Sequence, residues 1–106
     1  MSLTGRPWFQ ASVAGTVVQV TGHPTTIAHG TIYNTTAATA FLQIFNKLAA
    51  DVTPGTTVPD FVISASPGDN DPILGGLLLM DALSVACTTT PTGNTAAACH
   101  ISLSLC

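Results

Sequence analysis

The residues able to move a proton, hold a metal or attack a carbon are few: three histidines, three cysteines, five aspartates and a larger set of serines and threonines. His23, His29 and His100 stand at no fixed spacing, so they read as exposed imidazoles rather than as ligands or paired bases. His100 alternates into the same row as Ser84 and Ser102 if the C-terminal strands pair as described below. A Ser-His pair without an orienting carboxylate and an oxyanion donor set does not make an acyl-transfer site. Cys87, Cys99 and Cys106 lack the Cys-x-x-Cys spacing of a zinc centre, and the first two read as buried, reduced small hydrophobes, with a disulfide between them as the alternative where Cβ geometry suits. Asp69-Asn70-Asp71 offers oxygen ligands but not the twelve-residue pattern of a calcium loop, so it reads as a turn. Asn34-Thr35-Thr36 fits a glycosylation acceptor and reads as a turn for want of a secretory leader. No acid, base and nucleophile converge. The sequence therefore predicts no catalytic residue, no metal and no cofactor, and a role other than that of an enzyme.

Binding chemistry is better represented. Arg6, Trp8 and Phe9, in the run Arg6-Pro7-Trp8-Phe9, are the one grouping of arginine with aromatic residues, and such residues are enriched among interface anchors. They are the interface candidates, either on an N-terminal arm spanning residues 1–11 that inserts into a neighbour or as a cap on the open end of a domain spanning residues 12–106.

Composition narrows the partners. Only 7% of residues are charged, against about 25% in an average soluble domain. Two cationic side chains cannot neutralise enough phosphates to hold nucleic acid, so neither DNA nor RNA is an expected partner. The longest apolar run, Gly75 to Met80, falls far short of the roughly 20 residues that span a bilayer, so no membrane association is expected. Met1 to Gln10 lacks the basic and apolar regions of a leader, which implies synthesis in a cytoplasm. A chain this poor in charge implies contacts with other subunits, because interface cores are depleted of charge, the alternative being a Thr-coated β surface kept soluble by its hydroxyls.

The elements that carry these residues read as strands. Short runs of Val, Thr and Ile are separated by Gly, Pro, Asn and Asp, predicting strands over Ser12 to Val20, Thr25 to Tyr33, Ala40 to Asn46, Val58 to Ser64, Gly76 to Cys87 and Cys99 to Leu105. The expected fold is all-β, a compact antiparallel β-sandwich of jelly-roll-like type with about six to eight short strands. The last two strands pair well as a hairpin that sets Cys87 opposite Cys99, Val85 opposite Ile101 and Leu83 opposite Leu103, with Ala86, Ser84 and Ala82 facing His100, Ser102 and Ser104 on the other side. One stretch reads two ways. Between Ala37 and Leu48, Phe41, Ile44, Phe45 and Leu48 follow helical spacing, while Phe41 to Phe45 also fits a strand buried on both faces.

The run Ile32 to Lys47, with its Asn-Thr-Thr-Ala turn followed by apolar residues closing in Phe45-Asn46-Lys47, resembles a recurrent pattern in small structural proteins of tailed bacteriophages. The likeness continues in order through Thr53-Pro54-Gly55-Thr56, Val58 to Ile63, Gly75-Gly76 with the run into Ala86, and the Thr-rich loop Thr88 to Thr95. It departs at Pro67 to Ile73, where two Asp and two Pro interrupt the expected strand. The resemblance implies a strand, within a meander, at Phe41 to Asn46. It also implies a capsid decoration or cement protein on the virion surface, whose partners are the major capsid protein and itself, as a homotrimer or other homo-oligomer. A tail, neck or fibre-attachment component and a glycan-binding sandwich are the alternatives, the last needing an aromatic platform for which Trp8 and Tyr33 are the polar aromatics available. Cys106 is the thiol left over, free to bridge subunits after release from the host.

Overall fold

The computed structural model describes residues 6–13, 16–72 and 76–105. Within them run nine strands and one 3-10 turn: β1 (Arg6–Val13), β2 (Val18–Thr21), β3 (Thr25–Asn34), β4 (Ala40–Phe45), the turn Ala49–Asp51, β5 (Phe61–Ala65), β6 (Gly68–Asn70), β7 (Leu77–Leu79), β8 (Leu83–Thr88) and β9 (Cys99–Leu105). They form two antiparallel sheets, an all-β sandwich as expected. In the first sheet the order is β1-β9-β3, and the far edge of β3 is shared by β6 at its Ile32–Asn34 end and β7 at its Thr25–Ile27 end. The second sheet has the order β2-β8-β4-β5.

The core lies between the sheets. Strand β9 shows why: Cys99, Ile101, Leu103 and Leu105 are buried, while His100, Ser102 and Ser104 between them are only half-buried, the period-two signature of a strand with one dry face. Ile27 and Ile32 of β3 join them from the same sheet. Leu42 and Ile44 of β4 with Leu83, Val85 and Cys87 of β8 close the core from the other. A second, smaller cluster sits on the outer side of the second sheet, where Val52 and Val17 cover Phe45 and Ala86. Strand β8 is consequently buried at all six positions.

That second layer settles the Ala37 to Leu48 stretch. Ile44 faces the main core and Phe45 the outer cluster, so adjacent large apolar residues point opposite ways from one strand. The spacing that imitates a helix is that of a strand covered on both faces, the second of the two readings of Phe41 to Phe45.

Several expectations are corrected. Strands β8 and β9 are not a hairpin: β8 lies between β2 and β4, and β9 lies between β1 and β3 in the opposite sheet. Their apolar rows match because both feed one core from opposite sides, which gives the same alternation as a shared ladder would. Only a short ladder follows β8, with Thr88 bridged to Ala96 and the Ala97 amide donating to the Cys87 carbonyl at 3.1 Å before the chain crosses over. Nor is the chain a meander. Of the strands successive in sequence, only β4 and β5 pair with each other, and the remaining pairs are non-local.

The boundary at residue 11 moves as well. From Arg6 onward the segment expected as an arm is strand β1, which fills the edge of the first sheet through its ladder with β9. The single strand expected over Ser12 to Val20 is instead the end of β1 and, after the chain changes sheets, β2. The one expected over Gly76 to Cys87 is broken at Met80 and Asp81 for the same reason, β7 belonging to the first sheet and β8 to the second.

Candidate interaction face

Polar side chains fix the turns that hold the two sheets in place. Asn34, buried at the end of β3, donates its amide to the carbonyls of Ala38 at 2.8 Å and Ala65 at 2.9 Å and accepts from the Thr36 amide and hydroxyl. Its amide nitrogen is thus fully engaged in a turn, as the turn reading of Asn34-Thr35-Thr36 required. Asn70 does the same between β5 and β6, its amide donating to Ser66 and Gly68 and its carbonyl accepting from the Ser66 amide. Asp69 and Asn70 stand in strand β6, not in the turn expected of Asp69-Asn70-Asp71, with Asp69 opposite Tyr33. Gly68, with a φ of 93°, supplies the left-handed backbone with which β6 begins.

The outer face of the first sheet is open. Its rows run from β9 to β3, with His100 opposite Tyr33, Ser102 opposite Thr31, and Ser104 opposite His29. Tyr33 is 46% exposed and its ring lies 5.9 Å from that of His100, tilted by 58°. At one margin His29 Nε2 approaches Asp71 Oδ1 to 3.4 Å, both side chains well exposed, a pairing that contributes little to stability. Between β9 and β3 the face is a pleated surface of short hydroxyl side chains with the ring of Tyr33 and the imidazoles of His29 and His100.

The outer face of the second sheet is covered over its central strands, β8 and the Gln43 to Phe45 end of β4, while Gln19 and Ser64 on its edge strands stay exposed. Gln43, fully buried on β4, donates to Thr88 Oγ1 at 2.7 Å and to the Gly93 carbonyl at 3.0 Å, tying the Thr88 to Ala98 loop down over the sheet. Its Oε1 is buried without a partner. Beside this layer lies a shallow cleft of about 600 Å³, lined in part by Val17, Val52, Pro54 and Asn94. A second cleft, of about 550 Å³, is bordered by Lys47, Asp51 and Asp81. Asn46 links the loops beside it, its amide donating to Asp60 Oδ2 at 2.6 Å and its side-chain oxygen accepting from the Asp81 amide at 2.8 Å.

The sequence-predicted residues fall as follows. Trp8 stands opposite Leu103 on β1 and packs against the main core. Arg6 stands opposite Leu105 and Phe9 opposite Ser102 on the same strand. Trp8 faces the core while Tyr33 is exposed on the other side of that sheet, so the two polar aromatics do not share a surface. Ser84, expected beside His100, lies in the other sheet, fully buried, with its hydroxyl donating to the Lys47 carbonyl at 2.8 Å. Cys87 and Cys99 are buried and free, and Cys106 lies outside the described residues. Among the described residues, no three His, Cys, Asp or Glu side chains converge on a metal-sized space, and no helix is long and apolar enough to cross a membrane.

The feature that sequence reasoning missed is the contrast between the two outer faces. Its signal was present in β8, where Ser84, Ala86 and Thr88 alternate with the apolar row and are small enough to lie under a second layer. Searches with this chain match no protein-family model, no curated protein and no solved structure.

Proposed function

We propose that the chain is a virion structural protein of a tailed bacteriophage, a decoration or cement protein that lies on the outer capsid surface, held by the major capsid protein and by copies of itself. The observation that carries this reading is the open outer face between β9 and β3 in the first sheet, set against a second sheet whose central strands the molecule covers itself. Thr31, Ser102 and Ser104 are short side chains that lose little rotamer freedom on docking, so a partner can approach the pleat closely at low entropic cost. A chain in which only 7% of all residues are charged suits contacts in which charge is depleted. Exposed apolar side chains at Val58 and Met80 add further points of adhesion. Weak contacts of this kind hold firmly when an oligomer presents several at once.

Two measurements test the reading. Light scattering of the purified chain is expected to give a mass that is a multiple of 10.8 kDa. Cryo-electron microscopy of the virion is expected to show icosahedrally repeated copies on the head, whose removal lowers the temperature at which the particle loses its DNA. A monomer in solution together with an undecorated head overturns it, and density following tail symmetry replaces it with the tail or neck assignment.

A further inference from the structure

Cys87 and Cys99 occupy central strands of opposite sheets, β8 between β2 and β4, and β9 between β1 and β3. Both are 0% exposed and both belong to the main core cluster. Local chain geometry brings them together. The hydrogen bond from the Ala97 amide to the Cys87 carbonyl holds residue 97 alongside β8, and two residues later the chain enters β9 at Cys99. Both side chains enter that one core cluster, from facing sheets. Interaction with Cys99, and after it burial, pushes the Cys87 thiol well above the usual thiol range. Elsewhere this core uses alanine where a small side chain is needed, at Ala40, Ala65 and Ala97, so cysteine at both members of one facing pair calls for a reason beyond size.

We propose that Cys87 and Cys99 form an inter-sheet disulfide site, reduced where the protein is made and oxidised by a hydroperoxide once the protein meets an oxidising medium. One sulfur, as thiolate, attacks a peroxide oxygen; the O–O bond breaks, the sulfur becomes a sulfenic acid, and the departing hydroxide takes up the thiol proton as water. The second sulfur then attacks the sulfenic sulfur, the S–S bond forms, and hydroxide leaves with the second thiol proton as another water. Two thiols and one hydrogen peroxide thus give one disulfide and two waters. The bond closes the loop that carries the chain from one sheet to the other and removes freedom from the unfolded chain, which raises stability.

The test uses the full chain with Cys106→Ser, so that only the two core thiols remain. After treatment with hydrogen peroxide, intact mass under non-reducing conditions is expected to fall by two hydrogens per chain, and peptide mapping to find Cys87 joined to Cys99. The thermal midpoint is expected to rise by roughly 10 °C and to return when dithiothreitol is added to the same sample. Cys87→Ala and Cys99→Ala variants are expected to show neither change. Reversal by dithiothreitol needs no substitution at the pair, so loss of folding in an alanine variant leaves the test standing. Thiols that stay free, thiols that gain oxygen without joining, or a joined protein that melts no higher each overturn the proposal.

Discussion

Asn34 closes the end of β3 with a side chain that satisfies two carbonyls, one of them the buried link to Ala65 on the neighbouring sheet. Replacing it with alanine leaves the Ala65 carbonyl without that donor and releases the turn that leads into β4. Asn34→Ala is expected to cost about 2–4 kcal/mol, read as a lower urea midpoint at unchanged slope. Asn34→Asp is expected to cost more, because it sets an anion against two carbonyl oxygens. The turn itself was legible in Asn34-Thr35-Thr36, since asparagine followed by small hydroxyl residues is a recurrent turn signal. Its burial was not, because that depends on β5 arriving from thirty residues downstream.

At the scale of elements, alternation told which residues face the core but not which strand they pair with. Strand β9 was legible to the residue because its period-two pattern is uninterrupted. Its partner was misread because β8 carries the same pattern into the same core from the opposite sheet, and nothing local distinguishes a facing strand from a paired one. Strand β1 was missed for a related reason: its ladder is with the last strand of the chain, the most distant in sequence. The consequence is testable. Deletion of residues 1–9 is expected to destabilise the sandwich, because it strips most of an edge strand from β9 and uncovers the core beside Leu103. Trp8→Ala alone is expected to cost about 2 kcal/mol, since its half-buried ring packs on that core, and thermal melting followed by circular dichroism measures both.

For the molecule as a whole, the strand-and-turn punctuation made the all-β class readable, while the order of strands in the sheets was not, because non-local pairing is set by how the two faces close. Arg6 and Leu105 stand opposite each other on β1 and β9. A circular permutant that joins the two ends with a short flexible linker and opens the chain between Gly55 and Thr56 is therefore expected to fold, with a melting temperature within a few degrees of the parent. It is also expected to refold faster in stopped-flow mixing, because the β1-β9 ladder becomes local.

The two outer faces have a last consequence. One side of the sandwich is padded by the loop that holds Val52 and Pro54, and the other is bare pleat. A molecule so built has a right way up. A fluorophore attached in the Thr53 to Thr57 turn would ride on the padded side and stay bright and accessible to a quencher in water, while one attached at Thr31 would be shielded whenever the bare side is laid down.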